Sequence, residues 1–188
     1  LLKATLAASF LPLAWSPVGR LLAGTRGRLL RRVRPGDQAW PAPATWEALK
    51  QRVGGRLRKL QSPFAPDAPA AVRAEALQQL KNPFYLGDQP ALTQTSGWAD
   101  AWTSRPSAYA VAAESAADVA AAVNFARDHR LRLVVKGGGH SYQGTSDAPD
   151  SLLIWTRRMN QIQLHDAFVP KGCPVAPQPA VSIGAGAM

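Results

Sequence analysis

Residues 133–146 read Leu133-Val134-Val135-Lys136-Gly137-Gly138-Gly139-His140-Ser141-Tyr142-Gln143-Gly144-Thr145-Ser146. A short apolar run stops at Lys136. Three glycines follow, then a histidine, then a hydroxyl- and amide-rich turn closed by Gly144. Glycine has no Cβ, so backbone N–H groups can come close to an anionic ligand and point at it. The pattern predicts a strand that runs into a phosphate-cradling loop with the His140 ring at its centre. A valine at Gly138 would block the close approach of backbone N–H groups to the phosphate and tolerate positive φ poorly, so Gly138→Val is expected to abolish binding. Two common phosphate loops do not fit. No Lys-Ser or Lys-Thr pair follows the glycines, and a forced dinucleotide fingerprint puts Tyr142 where its third glycine belongs. Residues 145–150, Thr-Ser-Asp-Ala-Pro-Asp, are turn formers rather than a helix start. The loop therefore holds phosphate without a helix dipole behind it.

Working outward, the surroundings read as α/β. Residues 108–113 alternate as a short strand. Ser115, with Asp118 three positions later, predicts a helix over 115–129 that starts in a capping box. Val119, Ala122, Val123 and Ala126 supply its apolar face, and Asp118, Arg127 and Arg130 suit its dipole. Leu131–Val135 is largely apolar and predicts a buried strand. The unit is β-α-β with the glycine loop at the carboxyl end of its second strand, where open α/β sheets bind ligands. Residues 151–155, 161–165 and 180–184 read as further strands, the last of them buried.

The chain has 188 residues and a net charge of +10. Residues 1–15 combine one early charge with an apolar run too short to span a bilayer, which is the layout of an export signal. Residues 16–44, rich in Pro, Gly and Arg, read as linker. Trp46, Leu49, Val53, Leu57 and Leu60 form a helical stripe over 45–60, with Gly54 and Gly55 as its weak point. A second, Ala-rich helix is predicted over 67–81, with Val72, Ala76 and Leu80 on one face. Residues 83–106 read as a loop packed over the domain. Arg26, Arg28, Arg31, Arg32 and Arg34, followed by Arg52, Arg56, Arg58 and Lys59, lack aromatic interleaving or a binding motif. They read as a solvated basic segment, not a nucleic-acid surface. Cys173, the only cysteine, has no internal disulfide partner. His129 reads as a solvent-facing residue at a helix end, and His165 and Asp166 point to opposite faces of a strand. No spacing suggests a metal site, and no Gly-x-Ser-x-Gly elbow is present.

The run Lys136-Gly137-Gly138-Gly139-His140-Ser141-Tyr142-Gln143-Gly144-Thr145-Ser146 resembles the pyrophosphate loop of FAD-linked oxidases with a PCMH-type (vanillyl-alcohol-oxidase-type) FAD-binding domain. Tyr142-Gln143-Gly144 makes it most similar to the berberine-bridge-enzyme-like group. The resemblance extends over 97–188, through Ser151–Trp155 and Val181–Ala187. It implies an α+β fold, here the first lobe of such a domain, preceded by a signal and a helical extension. The domains expected are an export signal of twin-arginine type at 1–25, linker and helical extension at 26–96, and an incomplete FAD-binding domain at 97–188. It also implies that Lys136, Gly137, Gly138, Gly139, His140, Ser141, Tyr142, Gln143, Gly144 and Ser146 bind FAD. The glycines and Ser141 would bond the pyrophosphate, and His140 would be linked to the flavin 8α-methyl. The expected activity is oxidation of a carbon bearing oxygen or nitrogen by hydride transfer to flavin N5. The partners expected are a small-molecule substrate and oxygen or another electron acceptor, with membrane contact only during export to a periplasmic or secreted location. The catalytic base and the substrate domain are expected beyond Met188. A second flavin bond, from a cysteine far downstream of the histidine in that group, is not expected from Cys173. Two alternatives remain: a sugar-lactone oxidase of the same superfamily, whose loop also carries Gly-His-Ser, and a non-catalytic exported binding domain.

Overall fold

The computed structural model describes residues 31–96, 98 and 105–188. The expected export signal and the start of the linker lie outside these residues, as does Trp102 in the 83–106 loop. Residues 32–188 make one compact unit. Its elements are α1 (Pro43–Arg52), β1 (Leu57–Lys59), α2 (Ala70–Gln79), α3 (Pro83–Asp88), β2 (Tyr109–Ala112), α4 (Ala116–Asp128), β3 (Arg132–Lys136), β4 (Ser151–Trp155), β5 (Ile162–Phe168) and β6 (Gln178–Ile183). Among the described residues no helix is long and apolar enough to cross a membrane.

Four strands form one sheet in the order β1-β2-β4-β3. β2 and β3 both pair with β4 in parallel, and β1 joins β2 antiparallel at the edge. β4 thus separates the two strands of the β-α-β unit. Every residue of Ser151–Trp155 is buried, as a central strand covered on both faces must be. Alternation sorts the side chains between the faces. Val111, Leu152 and Ile154 face a core with Trp46 and Leu49 of α1 and Ala121, Ala122 and Ala126 of α4. Ala110, Ala112, Val134, Leu153 and Trp155 form a second core on the opposite face. Trp46 binds α1 to the sheet through Tyr109, with ring centroids 4.0 Å apart, and lies 4.9 Å from Phe125 of α4.

The helix over 115–129 forms as predicted, with both halves of the capping box made: the Ser115 hydroxyl accepts from Asp118 N, and the Asp118 carboxylate accepts from Ser115 N. Its buried face differs from the predicted one. Asp118, Ala121, Ala122 and Ala126 are buried, whereas Val123 is exposed. The cause is Arg56, whose Nη2 donates to Asp118 Oδ1 at 2.7 Å and turns the acid inward. Burial raises the Asp118 carboxyl pKa, but the bonds from Arg56, the Glu114 amide and Ser115 outweigh it and hold the group below its usual value.

Three further expectations are corrected. The stripe over 45–60 is not one helix. Arg52 ends α1, Gly54 and Gly55 turn at φ of 60° and 82°, and Leu57 enters β1. Its apolar positions 46, 49, 53 and 57 are nonetheless all buried. Val135 is 59% exposed, because β3 is an edge strand. The strand predicted at 180–184 is not buried. It belongs to an antiparallel β5-β6 pair, and five of the six residues of Gln178–Ile183 are exposed. The 67–81 helix appears as Ala70–Gln79, with only Ala76 buried, and the loop after it contains α3, capped by Asn82.

Ser115→Ala removes the cap oxygen and is expected to cost about 1 kcal/mol, read from denaturant unfolding followed by circular dichroism. The Asp118–Arg56 pair stabilises above the unfolded carboxylate pKa. That contribution is lost as pH falls through the lower folded value, so Arg56→Met should flatten the acid limb of the stability profile.

Candidate functional site

The loop hangs between two buried charged residues. At its start, alternation along β3 sends Val134 and Lys136 to the same side of the sheet, and Lys136 is 1% exposed. Its Nζ donates to the carbonyls of Leu86 at 3.0 Å, Gln89 at 2.6 Å and Leu92. An ammonium has three hydrogens, and three acceptors take them. Burial lowers the Lys136 pKa to about 8, opposed by the Asp147 and Asp88 charges; at pH 7 the group is still a cation. At the loop's far end Asp147 is 5% exposed. Its Oδ1 accepts from Ser107 N (2.6 Å), Ser107 Oγ (2.7 Å) and Ala148 N (2.9 Å). Oδ2 is buried with no partner among the described residues. Burial raises the Asp147 pKa, against the Ser107 and Ala148 bonds and the Lys136 charge.

Between these anchors the glycines are sterically required. Gly139 has φ 79°, and a Cβ there would lie 2.7 Å from Lys136 Cε. The Gly139 carbonyl accepts from Gln94 N at 2.9 Å. A Cβ on Gly137 would lie 2.8 Å from the Ala185 carbonyl oxygen. Gly138 has an ordinary φ, so the conformational demand expected there falls on Gly139 instead. The close neighbour at Gly138 is the His140 ring, whose Cε1 would stand 3.1 Å from an added Cβ. His140 itself is exposed. Beyond it the loop closes on itself: Gly144 N donates to the Ser141 carbonyl at 3.2 Å, and Thr145 N donates to Ser141 Oγ at 3.2 Å. Among the described residues the backbone N–H groups of Gly138, Gly139, His140 and Ser141 meet no acceptor. A run of unpaired donors, one of them on the buried Gly139, is the makeup of an anion site.

The predicted site residues therefore divide. Gly137, Gly138, Gly139 and His140 form the open part of the loop, with Ser141 at its edge. The Ser141 hydroxyl, 2.8 Å from Thr145 Oγ1, shapes the turn. Gly144 makes that turn possible, and Ser146 is half-buried behind it. Gln143 is exposed, and the exposed Tyr142 ring lies 5.3 Å from Trp98. Lys136 lies beneath the loop, with its ammonium directed at segment 86–92.

Two contributors escaped the sequence reading. Asp147 read as a turn former, and nothing in its neighbours marks it as buried. Gly184–Gly186 lies against the turn after β4: Gly184 N donates to Gln161 O at 2.8 Å and Gly186 N to Met159 O at 2.9 Å. A Cβ at either glycine would collide with that backbone, and this contact carries Ala185 to Gly137. The signal was the Gly-Ala-Gly spacing itself. A cavity of about 630 Å³, lined by Leu60, Phe64, Leu92, Trp98 and Arg105, touches Pro149 and Asp150 but none of the loop glycines.

The profile of an FAD binding domain matches residues 106–176. The FAD-linked oxidoreductase easE of Claviceps fusiformis is 30% identical over 201 residues, covering 93% of this chain and 33% of the relative. The FAD-linked oxidoreductase malF of Malbranchea aurantiaca is 33% identical, covering 82% of this chain and 30% of the relative. The solved VAO-type flavoprotein MtVAO615 of Myceliophthora thermophila superposes with a TM-score of 0.67 at 26% identity, over 83% of this chain and 32% of that one. Residues 106–176 therefore belong to the FAD binding domain family, and over most of its length the chain is similar to FAD-linked oxidoreductases and to a solved VAO-type flavoprotein. It spans about a third of the length of the curated relatives it matches.

Gly139→Ala should destabilise the protein more than Gly36→Ala. Both positions have positive φ, but Gly36 faces open space whereas Gly139 abuts Lys136. The φ penalty alone is about 1–3 kcal/mol, so parallel unfolding curves separate the clash from the conformation. Equal losses would show that Lys136 yields freely.

Proposed function

We propose that the full protein is an FAD-dependent oxidoreductase of the berberine-bridge-enzyme-like group, with the 137–146 loop holding the FAD diphosphate. The observation that carries this is the set of N–H groups at Gly138–Ser141 that meet no acceptor among the described residues, beside Gly137 and Gly139, where a Cβ would come within 3.0 Å of neighbouring atoms. Free backbone donors are what an anionic diphosphate needs, and donors fixed in advance avoid part of the ordering cost of binding. The exposed His140 imidazole beside them is the proposed point of covalent attachment to the flavin 8α-methyl. Bound FAD would supply a two-electron acceptor for hydride leaving a carbon that bears oxygen or nitrogen. The share of these residues is to fix the flavin's position and retain it. The small-molecule substrate and the electron acceptor belong to the same proposal. The names of the relatives, all FAD-linked oxidoreductases, support it.

The purified full protein should be yellow, and its flavin should remain with the polypeptide after acid precipitation. His140→Ala should lower the acid-stable flavin or remove it. An undiminished amount would exclude His140 as an attachment site, and a colourless parent would remove the cofactor assignment.

We also propose that the protein is exported, on the apolar run of signal length at 1–15 and the Pro- and Gly-rich linker behind it. Cell fractionation with sequencing of the mature N-terminus should find an extracytoplasmic form lacking Leu1–Trp15. A soluble cytoplasmic form that keeps this segment would refute export.

A further inference from the structure

We propose that Lys136 and Gln94 are positioning residues for the cofactor loop. Together they clasp segment 86–94 beneath Gly139 and so hold the Gly138–Ser141 donors in shape for the diphosphate. The inference rests on the FAD reading above but assigns the work to groups that make no contact with the ligand. Its basis is a closed set of contacts. The Lys136 ammonium binds the carbonyls of Leu86, Gln89 and Leu92, ordering this stretch from the end of α3 onward. Trp155 Nε1 donates to the Gly87 carbonyl at 3.2 Å and Arg157 pairs with Asp88 at 2.7 Å, which ties the same stretch to the end of β4. Two residues past Leu92, Gln94 N donates to the Gly139 carbonyl at 2.9 Å. The Lys136 Cε passes directly under Gly139. The glycine whose backbone is most constrained is thereby fixed from below by the lysine stem and at its oxygen by Gln94. With that carbonyl held, the Gly139–His140 peptide plane has little freedom to rotate, and the His140 N–H keeps one direction.

Segment 86–94 also explains why a cation is buried here. Its carbonyls of Leu86, Gln89 and Leu92 converge on one point, and the ammonium gives each of them a donor. Lys136 is therefore the residue that makes this backbone arrangement possible, and Gln94 transmits it to the loop.

Gln94 offers a narrow test. Ser96 N donates to the Thr93 carbonyl, so Gln94 occupies the second position of a four-residue turn, where proline is favoured. Gln94→Pro keeps the turn, removes the N–H that holds Gly139 and sets its ring Cδ against the Gly139 oxygen, so this contact cannot form. The experiment uses the full protein carrying His140→Ala, so that flavin exchanges, and titrates the apoprotein with FAD. Flavin fluorescence reads the Kd, visible circular dichroism reads the bound flavin's geometry, and far-ultraviolet circular dichroism reads the fold. Gln94→Pro should weaken FAD about fivefold and change the visible circular dichroism at saturation, with the fold unchanged. Lys136→Met should weaken FAD roughly tenfold or more, and Lys136→Arg should recover part of the loss. If Lys136→Met does not fold, Gln94→Pro decides alone. A folded Gln94→Pro protein with the parent's Kd and spectrum would overturn the clasp. A parent that fails to bind FAD would remove the cofactor reading, and this inference with it.

Discussion

A lysine buried at the end of an edge strand organises this domain. Lys136 is the last residue of β3, and strand alternation leaves its side chain no way out to water. A charge held there requires a full set of partners. The fold meets that need with three main-chain carbonyls from the segment after α3, and so α3 and the residues behind it are drawn against the carboxyl end of the sheet. The loop that begins one residue later inherits a fixed floor. Asp147 does the same at the other end, with Ser107, just ahead of β2, as its partner. The glycine-rich stretch is therefore not a free surface loop. It is a span between two rigid supports of opposite charge.

The sheet order adds the second constraint. β4 lies between β2 and β3, so its carboxyl end adjoins that of β3, and Thr156 N donates to the Lys136 carbonyl at 2.8 Å. The turn after β4 is thereby placed beside the first glycine, and the Gly184–Gly186 stretch packs onto it. Three separate pieces of chain converge on the loop: 86–94 from below, 156–159 from the side and 184–186 behind it. Of these, 184–186 comes close enough to exclude a side chain at Gly137, while at Gly139 the close neighbour is the Lys136 stem. Two of the three consecutive glycines answer different steric demands, Gly137 the Ala185 carbonyl and Gly139 a positive φ above the Lys136 stem.

Much of this was legible in the sequence. The Ser115–Asp118 capping box, the strand before the glycines and the loop itself follow from short-range chemistry, and short-range chemistry is what a linear pattern records. The failures share one cause. Val135 looked buried and Lys136 looked available to a ligand, yet the first is exposed and the second enclosed. Apolar content says that a strand packs, whereas its place at the sheet edge and the partners of its charged residue are tertiary facts. The 45–60 stripe failed in a related way: positions 46, 49, 53 and 57 all reach the core, but two glycines let Leu57 arrive on a strand. The buried face of α4 is turned toward Asp118 and away from Val123, and the acid is paired there with Arg56, 62 positions away in the chain. The β5-β6 pair carries the alternation of a packed strand with most of its residues exposed, so periodicity alone overstated its burial.

The most direct test of the account is a crystal structure of the full protein with its flavin. The account predicts diphosphate oxygens at hydrogen-bond distance, about 2.7–3.2 Å, from the backbone nitrogens of Gly138 to Ser141, with Lys136 still bound to the carbonyls of Leu86, Gln89 and Leu92. A diphosphate seated elsewhere, for example in the cavity between Phe64 and Trp98, or a Lys136 side chain turned out to meet the phosphates, would contradict it.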